Sequence, residues 1–345
     1  MAVLPPRIED ETHLDDLLSE PTPQLVDTMR RLEGDLVILG VAGKMGPTLA
    51  RMARRATDLA GVPRRIVGVA RFSDATQEDT LHAHGIDTIR CDLLNEAAMA
   101  ALPEAPNVVF MAGRKFGSTG AESLTWAMNC YLPAIVCRRY RRSRIVAFST
   151  GNVYGLTRAG AGGSVERDAP NPVGEYAMSC LGRERMFEHF SRELGIATAI
   201  VRLNYAVEMR YGVLVDLARR VVQGEPVPVS MGYLNVIWQA DANAMALRCF
   251  EHASSPPFVI NVAGPEELSV RTIGQELGRL LGRQVTFEGR EAPDALLSNA
   301  SLARSVFGDP RVPASRLVEW TADWICRGGA SLGKPTHFES RDGRF

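Results

Sequence analysis

The chain of 345 residues carries 39 lysines and arginines against 40 aspartates and glutamates, a formal net charge of -1, and is 46% hydrophobic; it can bury the core of one large α/β domain, with or without a smaller second unit, and has no global basic field for nucleic acid. Its six cysteines (Cys91, Cys130, Cys137, Cys180, Cys249 and Cys326) are scattered without close pairing, which indicates neither a metal site nor a disulfide framework and makes a reduced compartment the expectation. No apolar stretch approaches the ~18–20 residues that span a bilayer, and Glu9, Asp10, Glu11, Asp15 and Asp16 stand where a signal peptide would be basic and then apolar, so a cytoplasmic protein without membrane contact is expected.

Within residues 1–34, Leu14, Leu17 and Leu18, then Leu25, Met29 and Leu32, fall at helical spacings on either side of Pro21-Thr22-Pro23. This predicts two short amphipathic helices packed on the main domain. The apolar run Leu36–Leu39 then breaks into Gly40-Val41-Ala42-Gly43-Lys44-Met45-Gly46 and resumes as a helix-compatible segment over Thr48–Leu59. A strand that feeds a helix through such a turn leaves unpaired backbone N–H groups converging where the helix dipole favours negative charge, which suits a pyrophosphate. Gly40 permits the sharp turn, Gly43 lets the backbone approach the phosphates, and Gly46 lets helix and strand pack closely. Lys44 and Met45, in the same turn, are counted with them as cofactor contacts.

From Leu36 to about Leu203, short apolar runs (Ile66–Val69, Ile86–Ile89, Val108–Met111, Ile145–Phe148, Ala197–Leu203) alternate with helix-like segments such as Leu124–Tyr140 and Ala177–Leu194. The alternation predicts a doubly wound, mainly parallel sheet of the Rossmann type over residues 35–203, with ligands beyond the carboxyl ends of the strands. After the second strand, Arg71 stands where an acid would bind the adenosine 2′-hydroxyl of NAD. An arginine there accommodates the extra phosphate of NADP, so with Ser73 as a second donor NADP is favoured over NAD; the alternatives are that Arg71 is a solvated loop charge and that Asp74 reaches the ribose. Asp92 and Leu93, after the third strand, are placed to hold the adenine, unless Asp92 is the N-cap of a helix over Leu93–Ala101. Met111, Ala112 and Gly113 end the fourth strand in small residues past which a cofactor can lie.

The fifth strand ends in Ser149-Thr150-Gly151-Asn152-Val153-Tyr154-Gly155, and Tyr176 opens a helix that contains Glu184. Taken in order with Gly40, Gly43, Gly46 and the Asp92-Leu93 pair, these motifs resemble the extended short-chain dehydrogenase/reductases, and within them the NAD-dependent epimerase/dehydratase branch, over roughly residues 35–325. The resemblance implies that Tyr176 exchanges a proton with a substrate alcohol or carbonyl, that Thr150 hydrogen-bonds the same oxygen, and that Ser149 is its neighbour and understudy. It implies a homodimer through Leu124–Tyr140 and Ala177–Leu194. It also places a lysine one helical turn after the tyrosine, where this chain has Cys180. A phenol of pKa about 10 must come down by roughly two or three units to act near pH 7, about 3–4 kcal/mol at ~1.4 kcal/mol per unit, and a neutral thiol supplies no charge for this. Arg183, seven residues on and on nearly the same helix face, reads first as a surface or dimer-face arginine and second as a substitute cation, and Lys115 first as a solvated loop lysine and second as another such cation.

Residues 204–327 read as a smaller substrate-binding lobe, partly interleaved with the first domain, with helices over Val213–Gln223, Asp241–His252, Val270–Leu281 and Leu317–Cys326 and strands over Phe258–Val262 and 282–287. The resemblance places a phosphate-gripping arginine of nucleotide-sugar enzymes near Leu234 or Asn235, and neither residue can pair bidentately with a phosphate. A free sugar, polyol or sugar acid is therefore favoured as substrate. Asn204 and Arg210, with Arg202 and Tyr211, are candidates to line its pocket, Arg210 for an anionic group. The polar tail 328–345 either is disordered or folds over the cleft or a partner. The leading expectation is an NAD(P)-dependent oxidoreductase or epimerase/dehydratase; the alternative, on the strength of Cys180, is a catalytically impaired NAD(P)-binding regulatory protein.

Overall fold

The structure is a computed structural model that describes residues 4–115 and 117–343. At its centre lie β1 (Leu36–Leu39), β2 (Ile66–Ala70), β3 (Asp87–Arg90), β4 (Asn107–Phe110), β5 (Arg144–Thr150), β6 (Thr198–Leu203) and β7 (Phe258–Val262). They pair in the order β3-β2-β1-β4-β5-β6-β7, all parallel. β1, β2 and β4 are buried along their whole length, because crossover helices cover both faces of a parallel sheet; this is why they read as unbroken apolar runs. The chain leaves β1 toward β2 and β3 and returns to β4 on the other side of β1, so the crevice beyond the carboxyl ends of β1 and β4 is the topological switch point.

The lead-in forms α1 (Glu11–Leu18) and α2 (Pro23–Arg31), capped by Asp10 and Thr22, whose side chains accept from His13 N and Leu25 N. Both pack on α3 (Gly46–Ala60), as the spacing predicts. Buried Arg64 fastens them to the sheet by donating to Met29 O at 3.1 Å and Gly34 O at 2.6 Å.

α4 (Ala75–Ala83) follows β2, and α5 (Glu96–Ala100) is shorter than the predicted helix over Leu93–Ala101. The cap there is Asn95, which accepts from Ala98 N at 3.0 Å, while Asp92 folds onto Leu94 N at 3.1 Å in a turn of its own. The segment predicted as one helix over Leu124–Tyr140 is α6, built of Glu122–Trp126, a π-helical turn Ala127–Tyr131 and Leu132–Arg139. The widened turn carries Asn129 to full burial. α7 (Gly174–Leu194) follows β5 and runs against α6.

α8 (Val213–Gln223), β7 and, after α9 (Gln239–Arg248), α10 (Val270–Leu281) keep the predicted limits. Their placement interleaves the two parts of the chain. β7 hydrogen-bonds along β6 and completes the main sheet, and α9 packs on α3, so only α8, α10 and α12 (Ala314–Cys326), after α11 (Ser301–Phe307), stand apart as the lobe. The predicted strand over 282–287 reduces to Phe287–Glu288, paired with Val227–Pro228. The tail is folded onto the body as far as Gly343, with Phe338 only 2% exposed; residues 344–345 lie outside the described residues.

Two glycines of the first turn have different tasks. A Cβ on Gly46 would sit 2.0 Å from Val41 O, whereas one on Gly43 would meet only Gly40 O, at 3.3 Å. Gly46→Ala should therefore cost about 1–3 kcal/mol of stability by overpacking α3 against β1, and Gly43→Ala less than about 1 kcal/mol. Urea unfolding of the two variants checks this; equal stability of Gly46→Ala and the parent would mean that α3 can back away from the strand.

Candidate functional site

The carboxyl ends of β1, β4, β5 and β6 open into one cavity of about 350 Å³. Gly43, Lys44 and Met45 line it from the first turn, Met111, Gly113 and Lys115 from the segment after β4, and Ser149, Thr150 and Asn152 from β5 and the turn after it. Tyr176 and Arg183 of α7 and Leu203 and Asn204 at the end of β6 close it. The first turn is a ladder in which Gly43 N donates to Gly40 O at 3.1 Å and Gly46 N to Gly43 O at 3.2 Å. Gly40 has φ +89, and a Cβ on it would meet Ala112 N at 2.6 Å, so Gly40 and the small Ala112 let β1 and β4 leave the crevice side by side. No side chain caps α3, which leaves its first N–H groups for a ligand.

Tyr176 has Thr150 and Cys180 as neighbours whose side chains act on the phenol. Burial pushes its pKa above the ordinary value and the Cys180 thiol adds to the rise, while the Arg183 charge and the Thr150 hydrogen bond act the other way. Cys180 is itself fully buried beside Val153 and Tyr154 and its pKa is raised by that burial. Thr150 donates to Asn152 Oδ1 at 2.9 Å and accepts from Asn152 N at 3.1 Å, which fixes its hydroxyl. Ser149 points elsewhere: its hydroxyl donates to buried Glu184 at 2.5 Å. Of the two, Thr150 is the one on the phenol.

Arg183 is not a surface residue. It is 7% exposed, donates to Phe148 O at 2.8 Å and to Asn129 Oδ1 at 2.7 Å, and lies so close under Gly113 that a Cβ there would meet its guanidinium at 2.3 Å. Asn129, absent from the sequence-level candidates, accepts from Arg114 N at 2.8 Å and donates to Arg114 O at 2.9 Å and to Ser179 Oγ at 3.0 Å. Its signal in the sequence is a lone amide inside an apolar helical run. Lys115 sets its Nζ 5.7 Å from the centre of the Tyr176 ring and its pKa is lowered to about 8, chiefly by burial. Lys44 lies 3.3 Å over the Tyr211 ring; burial, then the charges of Lys115 and Lys334, bring it down to about 7.

Other expectations are redirected. Arg210 does not line the cavity: it pairs with Glu208 at 3.1 Å, and with Asp15 at 2.8 Å and Glu11 at 3.6 Å of α1, the last two tying the lead-in to the lobe. Arg202 faces below the site toward Glu184, and Asn204 remains at the cavity wall with its amide donating to Leu296 O at 3.4 Å. Leu234 and Asn235 are buried, the latter bonded to Glu266 O and Ser298 N. Glu175 accepts from the Trp126 indole at 2.5 Å and Asp74 caps α4. Arg71 and Ser73 are exposed just past β2, Asp92 is exposed and Leu93 buried after β3. Among the described residues no helix is long and apolar enough to cross a membrane, and no group of three or more His, Cys, Asp or Glu is disposed to hold a metal ion.

A parallel sheet with a glycine turn at its switch point and a Tyr–Thr pair at the neighbouring strand end defines a dinucleotide-binding protein of the Rossmann class. The model of the NAD dependent epimerase/dehydratase family matches residues 36–256, and the chain belongs to that family. No curated protein sequence matches it. Among solved structures it is similar to UDP-glucuronic acid 4-epimerase from Bacillus cereus in complex with NAD, at 18% identity and TM-score 0.71, over 85% of this chain and 99% of that one. It is similar to dTDP-glucose 4,6-dehydratase from Bacillus anthracis in complex with NAD, at 13% identity and TM-score 0.72, over 86% and 97%. It is also similar to UDP-glucose 4-epimerase from Thermotoga maritima with UDP-glucose, at 16% identity and TM-score 0.70, over 85% and 99%. Each neighbour is matched over nearly its whole length, and this chain has additional segments.

The lowered lysine gives a signed pH dependence. Unfolded, Lys44 titrates near its ordinary 10.5; folded, near about 7. Between those values the unfolded chain binds more protons, so this group makes stability lowest below pH 7 and lets it rise toward pH 10. Urea unfolding at pH 6.5 and 9 should show a larger gain in the parent than in Lys44→Met, and identical gains would remove Lys44 from the buried cluster.

Proposed function

We propose that the protein is an NAD(P)-dependent enzyme of the epimerase/dehydratase type acting on a small hydroxylated substrate, with Tyr176 as acid/base and Thr150 as hydrogen-bonding partner to the same substrate oxygen. The observation that carries the reading is that Tyr176 and Thr150 line the same cavity as the glycine turn. The residues fit a dinucleotide: the turn is open at Gly43, α3 is uncapped, and Met111 and Gly113 line the cavity between turn and tyrosine, with the small Ala112 packed against Gly40 beneath them. When bound, the nicotinamide supplies the hydride acceptor or donor. The chain's own part is the proton. Tyr176 takes it from, or returns it to, the substrate hydroxyl, and Thr150, itself fixed by Asn152, orients that oxygen.

The tuning of Tyr176 falls to Arg183, the cation whose charge favours the phenolate. Whether one buried guanidinium offsets the burial of the phenol separates this reading from a second one. The raised Tyr176 pKa with Cys180 beside it favours a nucleotide-binding regulator that has lost efficient turnover. NADP remains favoured on Arg71 and Ser73, both exposed where a 2′-phosphate would reach them, although the similar Bacillus cereus and Bacillus anthracis structures carry NAD. A homodimer through α6 and α7 is supported by Leu124, Trp126, Tyr131 and Met178, large apolar or aromatic side chains left 38–51% exposed on those helices.

With a panel of sugars, polyols and sugar acids and either cofactor, Tyr176→Phe should lower turnover by at least about 100-fold while dinucleotide binding persists. Unchanged turnover would end the assignment of Tyr176. Turnover by Cys180→Lys alone, with none in the parent, would establish the regulator reading. For the cofactor, Arg71→Asp should shift the ratio of NADP to NAD affinity at least tenfold toward NAD in a calorimetric titration; an unchanged ratio would place Arg71 outside the phosphate site.

A further inference from the structure

The tail after α12 crosses the cleft between the sheet's carboxyl edge and the lobe, and its path is anchored at successive points. Leu332 N donates to Arg210 O at 3.0 Å, and Thr336 donates through both its N (2.8 Å) and its Oγ1 (2.6 Å) to Asp216 Oδ2 in the first turn of α8. Phe338 is 2% exposed. Arg341 pairs with the Asp294 carboxylate and donates to Asp294 O at 2.9 Å and Ser230 O at 3.2 Å. Gly343 lies so close to the start of α7 that a Cβ on it would meet Val173 O at 2.1 Å. The tail thus reaches from the lobe to the helix that carries Tyr176.

What it covers is the interlobe cleft on the far side of the loop after β5. Asn152, Tyr154 and Val173 line that space from the sheet side and Tyr205, Met231 and Leu296 from the lobe. Between these walls and the tail only about 40 Å³ remains, room for a few waters, whereas ligands of nucleotide size occupy pockets of roughly 300–1,000 Å³. A substrate held against Tyr176 and Thr150 that carried a nucleoside diphosphate would have to run into this filled cleft, because the strand-end side of the site is taken by the dinucleotide.

We infer that residues 334–343 are a specificity-determining wall: they exclude nucleoside-diphosphate sugars and restrict the site to an unlinked sugar, polyol or sugar acid. This rests on the enzyme reading above for the position of the substrate, but the exclusion itself is a property of the cleft. Nothing in the tail is asked to do chemistry. Thr336 lines both the tail's path and the main cavity, so the wall also bounds the space beside Lys44 and Tyr211.

The experiment is calorimetric titration of UDP and, separately, NAD into the full chain and into a chain ended after Thr336, which keeps the tail residue that borders the main cavity. The shortened protein should bind UDP at least tenfold more tightly than the full chain, with NAD affinity changed by no more than a few-fold as the check on folding. Equal UDP affinity in the two proteins overturns the inference, and so does absence of UDP binding in both. If the shortened chain does not fold, the full-length double variant Phe338→Ala, Arg341→Ala takes its place, with at least a threefold gain expected and no gain overturning. Loss of NAD and NADP binding in the parent would instead overturn the enzyme reading, while the UDP comparison would still decide the role of the tail.

Discussion

The buried ion pair between Glu184 and Arg202 is the contact on which the site's geometry depends. Arg202 Nη2 lies 2.7 Å from Glu184 Oε2, with side chains 6% and 3% exposed. The pair joins α7 to β6, Ser149 brings in β5, and Tyr154, which accepts from Arg202 at 2.6 Å and donates to Asn261 at 2.9 Å, extends the chain of contacts to β7. Burial alone would lower the Arg202 pKa, but Glu184 and Tyr154 more than offset it, so the guanidinium stays charged. Removing one partner of such a pair strands the other in a low-dielectric interior, at a cost of about 3–5 kcal/mol. Two apolar residues of equal volume could hold α7 as firmly; what they could not do is fix its rotation and register, and with them the distance from Tyr176 to Thr150.

That network explains which parts of the site were open to sequence reasoning. The glycine turn, the strand runs and the helices α8 and α10 are local signals, set by spacing and by residues that tolerate few conformations, and they appear where the periodicity places them. Long-range pairings are a different matter. Arg210 looks like an anion ligand until Asp15, nearly two hundred residues earlier, is seen to neutralise it. β7 reads as part of the lobe because nothing local says that Phe258–Val262 will pair with β6. Asn129 depends on a single widened turn in α6, a change of register that a 3.6-residue pattern averages away. The choice between Ser149 and Thr150 likewise turns on which hydroxyl Glu184 captures.

The tail is the extreme case. Its composition is polar and glycine-rich, the usual signature of an unordered end, yet Arg341, Thr336 and Phe338 each find a specific seat. Each seat is supplied by the body: the Asp294 and Ser230 carbonyls, the Asp216 carboxylate, an apolar hollow. A segment that cannot form a core of its own becomes ordered where the rest of the fold leaves polar groups and apolar surface to cover.

A neutral thiol at Cys180 leaves the charge beside Tyr176 to other residues. Arg183 and Lys115 are cations near that ring. Arg183 is anchored to Phe148 O and Asn129, so its charge acts on Tyr176 from a fixed position. Lys44 and Lys115 line the same cavity, and their lowered pKa values leave them partly neutral near pH 7 and 8. An approaching phosphate favours the charged form of each. The cations around the cavity therefore act in different ways: Arg183 supplies a charge held in place by its hydrogen bonds, whereas Lys44 and Lys115 gain theirs as a proton or an anion arrives.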